Sequence, residues 1–169
     1  MPDRKKYPVT LIRQNNQGPA AARNHGAGAA RGKILVFTDS DCELSESFLE
    51  KIIAPMDTCQ EIAGVQGRYK TKQREFIAEF HQVEMETRYQ LMSQRKYIDF
   101  IGTYAAAYRK DIFQKFGGFD TTFPLASNED VEFSYLLSKN NKKMVFASDA
   151  IVYHQHPTFI FQYLKIKFI

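Results

Sequence analysis

Ile34-Leu35-Val36-Phe37-Thr38-Asp39-Ser40-Asp41 is the stretch on which the reading of this chain turns. Its first five residues are apolar or β-branched, with no Gly or Pro, and that composition predicts a buried strand. Two carboxylates one residue apart follow where the strand ends. In open α/β sheets ligands bind just beyond the carboxyl ends of the strands. Two aspartates placed there can hold a divalent cation, which takes oxygen ligands and bridges to phosphates. Asp at a strand end also serves turns, so the pair takes its weight from what surrounds it.

Upstream, Val9 to Ile12 reads as a short strand and Gln14 to Gly18 as a polar loop. Pro19 suits the first position of a helix, where its missing donor costs nothing. Pro19 to Arg31 is rich in Ala, and Gly32 fits the cap after its last turn. Strand, helix and strand in that order make a βαβ unit with a parallel pair. Downstream, Ser47 and Glu50 have the spacing of a capping box. Phe48, Leu49, Ile52, Ile53 and Met56 fall on one helical face, with Pro55 ending or bending the helix. Ala63 to Gln66 reads as a strand and Arg74 to Arg95 as a helix without a clear apolar face. Tyr97 to Ala107 contains a strand interrupted at Gly102. Short helices are predicted over Lys110 to Phe116, stopped by Gly117-Gly118, and over Asp130 to Ser138, capped by Asn128. Met144 to Ala147 and Ala150 to Tyr153 read as two strands, and Phe159 to Ile169 as a last amphipathic segment. The expected fold class is α/β, a mainly parallel sheet flanked by helices.

Composition narrows the function. The chain has 169 residues, 44% hydrophobic and 25% charged. That is ordinary globular composition, long enough for one domain with a real core, and it argues against disorder. A net charge of +4 suits a phosphate-bearing ligand or an anionic surface. Basic residues are scattered apart from Arg4-Lys5-Lys6 and Asn141-Lys142-Lys143, and the aromatic-basic motif of an RNA-binding sheet is missing. Nucleic acid is therefore not an expected partner. Cys42 and Cys59 are the only cysteines, too few for a zinc cluster, and two thiols fit a reducing compartment. No apolar run reaches the roughly 18 residues a membrane helix needs, and the charged start lacks the apolar stretch of a signal peptide. A cytoplasmic location is expected. The aromatic and basic segment Phe159 to Ile169 reads as a core-packing helix first, and second as a contact with the anionic inner face of a membrane.

Four groups of residues can belong to one site. Arg23-Asn24 lies on the Ala-rich helix, and Arg pairs phosphates well, although an exposed helical Arg is the plainer reading. Asp39-Ser40-Asp41 is the second group. Asn128-Glu129-Asp130 opens a helix, where acids also serve simply to cap. His154-Gln155-His156 follows a strand, and two histidines so spaced can ligate a metal or a phosphate. A metal at Asp41 and His154 would neutralise a diphosphate leaving group. A carboxylate at Asp130 would take a proton from an attacking hydroxyl. The combination suits displacement at a phosphate-activated carbon.

The run Gly18-Pro19-Ala20-Ala21-Ala22-Arg23-Asn24-His25-Gly26, then Ala30-Arg31-Gly32, then Phe37-Thr38-Asp39-Ser40-Asp41, resembles the central stretch of family 2 glycosyltransferases of the GT-A fold. Gly102 to Lys110, Phe116-Gly117-Gly118-Phe119-Asp120 and Glu129-Asp130 are similar to that family's second signature. The resemblance runs from about Val9 to His156 and implies a single domain over residues 1–169. It implies a nucleoside-diphosphate sugar donor, Mg²⁺ or Mn²⁺ as cofactor, and a saccharide, lipid-linked or protein acceptor, as in cell-envelope polysaccharide synthesis. It further implies inversion at the sugar carbon by single displacement. By the same resemblance Asp39 and Asp41 meet the nucleotide sugar and its metal, with Asp41 the more direct ligand. Asp130 matches the catalytic base and Glu129 a positioning acid beside it. Arg23, with Asn24, lies near the nucleotide base. His154 matches a late histidine that contacts metal or diphosphate in some members, and His156 leaves the choice between the two open. Gly102 and Thr103 either line the donor-sugar or acceptor pocket or are a plain strand break.

One departure stands beside the match. Family members open with a strand carrying a proline-aromatic-asparagine turn and a second strand ending in Asp-Asp-Gly-Ser, and nothing before Val9 supplies either. The chain is thus expected to be an N-terminally incomplete domain with uncovered sheet edges. The alternative function is then a catalytically incompetent fragment or an interaction module. A phosphotransferase of the haloacid dehalogenase type fits less well, since Glu43 stands where Thr or Val is expected. A calcium loop of the EF-hand type lacks its turn Gly and its bidentate Glu, with Leu44 and Phe48 in those places.

Overall fold

The computed structural model of the chain describes residues 9–123 and 128–167. The basic run Arg4-Lys5-Lys6 and the terminal Phe168-Ile169 lie outside the described residues. The elements in order are α1 (Gly18–Ala29), β1 (Ile34–Thr38), β2 (Cys42–Leu44), α2 (Phe48–Thr58), β3 (Ile62–Lys70), α3 (Phe76–Ser93), β4 (Ala105–Arg109), α4 (Lys110–Lys115), α5 (Glu129–Lys139), β5 (Lys143–His154) and α6 (Ile160–Lys167). The sheet has the order β1-β4-β3-β5-β2, flanked by helices. The α/β class expected from sequence is the one observed.

Strand direction inside the sheet is a correction. β3 and β5 run parallel, whereas β1 and β3 both pair antiparallel with β4, and β2 pairs antiparallel with β5. The sheet is mixed, and Val9 to Ile12 forms no strand, so no parallel pair flanks α1. The cause is the path after β3. Helix α3 carries the chain back to the far end of the sheet, where Ile98 N donates to Met144 O at 2.9 Å. An extended stretch then returns it, so β4 enters from the end at which β1 and β3 finish. Other differences are smaller. β2 was not expected, β5 is one strand rather than two, and the Ser47 side chain makes no capping bond.

β5 is continuous because a register shift between Gln66 and Arg68 sets Ala147 to Ala150 against the single residue Gly67. Gly67 sits there, and a Cβ on it would stand 2.8 Å from Ala150 O and 3.0 Å from Ala105 Cβ. Backbone cannot yield as a flexible side chain can, so only glycine fits. The core beside β1 and β4 is aromatic. Phe113 packs at 5.0 Å from both Phe119 and Phe133, and Phe37 lies 5.4 Å from Phe113 and Phe119. Such edge and tilted pairs add about 0.5–1.5 kcal/mol each beyond area burial. Arg109 donates to the carbonyls of Met56, Cys59 and Ile62, satisfying the C-terminal end of α2. On α6, Tyr163 packs edge-on to Phe80 of α3 and donates to Glu84, while Phe159 and Phe161 are exposed. No described helix is long and apolar enough to cross a membrane.

Candidate active site

Five segments finish or begin at one end of the sheet: the ends of β1, β3 and β5, and the starts of β2 and β4. This is why residues far apart in sequence meet there. β1 ends at Thr38 and delivers Asp39 and Asp41, and β5 ends at His154 opposite Cys42. The start of α5 brings Glu129 and Asp130. Asn128 precedes them in the left-handed region, φ 70°, which turns the chain into the helix.

Arg23 joins two of these segments. Its Nη2 donates to Asp39 Oδ1 at 2.9 Å and its Nη1 to Glu129 Oε1 at 2.6 Å. The guanidinium is thus spent on two carboxylates rather than left open. Asp39 also accepts from Tyr69 Oη at 3.3 Å, so both its oxygens are engaged inside the protein. Glu129 is buried, and its Oε2 has no hydrogen-bond partner. Asn24 makes a reciprocal pair with the backbone of Phe119, donating to its O at 2.7 Å and accepting from its N at 2.9 Å. That fixes the turn at Gly117-Gly118, where Gly118 has φ +72° and a Cβ would stand 2.6 Å from Asn24 Oδ1.

Asp41 is the aspartate that reaches solvent. Its Oδ2 lies 3.2 Å from His154 Nε2, with the Asp41 side chain 62% exposed. Behind His154 the rings stack inward. Tyr69 lies parallel to Tyr104 at 3.8 Å and to His154 at 4.7 Å. Burial raises the Tyr69 phenol, helped by Cys42 and Asp39, and burial likewise raises the Cys42 thiol. His156 is buried and pushed down to about 4, first by burial and then by His81 and His154, so its ring is neutral at physiological pH.

Asp130 accepts from Thr103 N at 3.3 Å and from Val131 N at 2.9 Å. Burial raises its carboxyl above the usual aspartate range, against the lowering by Thr103 N. A base with that shift is better matched to a neutral working pH. Gly102 is buried, its N held at 2.5 Å by Gln66 Oε1, and a side chain there would strike the Tyr104 ring. The 102–103 backbone is therefore fixed, and it presents Thr103 N to Asp130.

Among the described residues no three His, Cys, Asp or Glu side chains form a metal cluster. Asp41 and His154 can hold a divalent ion as a pair. Donors about 2.1 Å from one ion at right angles stand about 3 Å apart, close to the separation seen here. Such an ion would need further oxygen ligands from outside the protein, as is usual for Mg²⁺. Sequence reasoning singled out Asp39, Asp41, Asp130 and His154 but not Tyr69, which bonds to Asp39 and stacks on His154, nor Tyr104, Gln66 and Gln82, which support Tyr69, Gly102 and His156.

The α/β fold, a central sheet flanked by helices, is that of the GT-A glycosyltransferases. Two solved structures share it. They are the mannosyltransferase PcManGT from Pyrobaculum calidifontis, in complex with GDP-Man and Mn²⁺, and GalNAc-T7 with UDP, GalNAc and Mn²⁺. The first superposes with a TM-score of 0.68 at 17% identity, covering 96% of this chain and 45% of that one. The second gives 0.64 at 18% identity, with 85% and 31% covered. The profile of glycosyl transferase family 2 matches residues 3–117, and the chain belongs to that family. It is 32% identical over 133 residues to an uncharacterized glycosyltransferase of Haemophilus influenzae, covering 75% of this chain and 43% of that protein. It is 24% identical over 155 residues to the pre-mycofactocin glycosyltransferase of Mycobacterium tuberculosis, covering 88% of this chain. The chain spans 32% of that relative's length.

Proposed function

We propose that this domain moves a sugar from a nucleoside-diphosphate donor to a hydroxyl acceptor by single displacement with inversion, using a divalent metal. The observation that carries the reading is the convergence of Asp41–His154 and Asp130 on one end of the sheet, each in a different environment. Asp130 accepts the proton of the attacking hydroxyl, the new bond forms at the sugar carbon, and the diphosphate leaves from the opposite face. Asp41 and His154 hold Mn²⁺ or Mg²⁺, which when bound supplies positive charge against the diphosphate. Arg23 and Tyr69 keep Asp39 oriented beside the donor, and Glu129 ties the base-bearing helix to it through Arg23.

Donor binding tests this first. With Mn²⁺ and the cognate nucleotide sugar at a hundredfold excess over Kd, the melting temperature should rise by about 5–10 °C. The rise should need both components and vanish in Asp41→Ala. A panel of nucleoside-diphosphate sugars giving no shift with any metal would remove the reading. A second reading has its own support: the outer edge of β1 is unpaired among the described residues. A shift without turnover would favour it, a donor-binding domain that needs further strands to act.

Asp130 also sets a pH limb. A base must be ionised to work, so the single-turnover rate falls as pH drops through its raised value. The limb should sit above the usual aspartate range. A rate that stays flat down to pH near 4, the ordinary aspartate value, would take the base role from Asp130.

A further inference from the structure

Helix α3 runs away from the site end of the sheet, and the chain comes back beside it. Gln82 of α3 meets His156, Tyr89 Oη lies 3.0 Å from Tyr104 Oη, and the helix stops at Ser93. Ile98, Asp99 and Phe100 then lead back to Thr103, whose N donates to Asp130. Between helix and returning chain lies a groove of about 440 Å³, walled by Leu91, Met92, Ile98 and Phe100 and flanked by Val131 of α5.

The walls are tied in place. Ser134 Oγ of α5 accepts from Ile101 N at 3.0 Å, and Tyr89 Oη accepts from Tyr69 N at 3.0 Å. Small ligands bind in preformed apolar pockets of this size. Leu91 is 58% exposed and Val131 46%, although both are large and apolar, so a ligand that covers them gains by burial.

The groove adjoins the base. Val131 follows Asp130 directly, and Phe100 stands three residues before Thr103. Three extended residues span about 10 Å at most. Ile98 N donates to Met144 O near the start of β5, so Ile98 marks the far end and Phe100 the end near Asp130. Two arginines line the groove, and they differ. Arg95 is paired with Asp99 at 3.2 Å. Arg88 lies over the Phe100 ring, 5.8 Å from its centroid, and has no hydrogen bond or ion pair among the described residues. An uncommitted cation thus stands at the end nearer the base, with apolar surface beyond it.

We infer that this groove seats the acceptor, a hydroxyl compound with an anionic group beside the hydroxyl and an apolar tail. The tail lies along Leu91, Met92 and Ile98, the anion meets Arg88, and the hydroxyl reaches Asp130. The hydroxyl proton passes to Asp130 as its oxygen bonds to the sugar carbon and the diphosphate leaves. The inference rests on the transferase reading and names the acceptor's chemistry.

The experiment uses the full chain with ¹³C-methyl methionine and 3-hydroxydecanoate as the probe. Met92 lines the groove, and its methyl signal should shift on titration. The tail-less 3-hydroxybutyrate should bind roughly tenfold more weakly or worse. Arg88→Gln should weaken the acid about tenfold and leave 2-decanol, which has no anion, unchanged. No Met92 shift with 3-hydroxydecanoate overturns the inference, and so does an equal loss for acid and alcohol in Arg88→Gln. A Met92 signal that follows protein concentration and ignores the acid gives the groove to a second copy, and overturns it too. These spectra need neither donor nor metal, so their failure is distinct from that of the transferase reading. With a donor found by melting shift, the acid should speed nucleoside-diphosphate release above hydrolysis by water. Unchanged release from a chain that binds the acid denies the groove its acceptor role. A panel in which no donor binds refutes the transferase reading, and the acceptor role falls with it.

Discussion

Asp130→Asn is expected to slow sugar transfer by roughly 10²–10⁴-fold while leaving Mn²⁺-dependent donor binding unchanged. Asparagine has the shape of the aspartate and keeps one of the two oxygens that accept from Thr103 N and Val131 N, so the start of α5 should lose one hydrogen bond and hold. What it loses is the ability to take a proton at neutral pH. Asp130 touches neither Asp41 nor His154 in the observed hydrogen bonds, so the donor side should be untouched. Single-turnover rates and donor-dependent melting shifts, measured on the same preparation, separate the two effects. Transfer within a few-fold of wild type, against the factor general-base catalysis supplies, would show that another group removes the proton.

Arg23→Met is expected to cost stability by about 3–5 kcal/mol, and to weaken donor binding as well, since Asp39 loses the group that orients it. Glu129 is 3% exposed, and Arg23 supplies its one hydrogen-bonded countercharge. Removing the guanidinium leaves a carboxylate in the interior with little to solvate it, and Asp39 loses the partner on its Oδ1. A chain of this size should then melt about 10 °C or more below wild type. Arg23→Met with Glu129→Gln should recover much of the loss, since the buried charge goes with its partner. Denaturant titrations of the two single variants and the double variant close the cycle. A loss under about 1 kcal/mol in Arg23→Met would mean that water reaches Glu129.

The elements that local pattern identifies are those whose pattern is local. β1 is five residues of apolar and β-branched character, and it forms over the predicted span. α4 and α5 begin and end within a residue of expectation, at Gly117 and Asn128. β2 escaped because its three residues are held only by pairing with β5, more than a hundred positions away. Strand directions escaped for the same reason: α3 and the return through Ile98 decide them, and no periodicity records that path. The same division runs through the site. Asp39, Asp41 and Asp130 stand in motifs and were legible. Gln82 and Tyr69 act only by whom they touch, 74 and 30 positions away, and α3 carries no apolar face that would have drawn attention to Gln82.

Those separations have a kinetic meaning. Arg23 and Glu129 lie 106 positions apart, and Asp41 and His154 lie 113 apart. Contacts of such range are made slowly, because the entropy of closing the loop is spent before the contact returns anything. A chain emerging from the ribosome exposes Arg23, Asp39 and Asp41 long before β5 exists to meet them. This end of the sheet is thus expected to be among the last parts to assemble. A bound nucleotide and metal would accordingly lengthen the lifetime of the finished fold and leave the rate of reaching it unchanged.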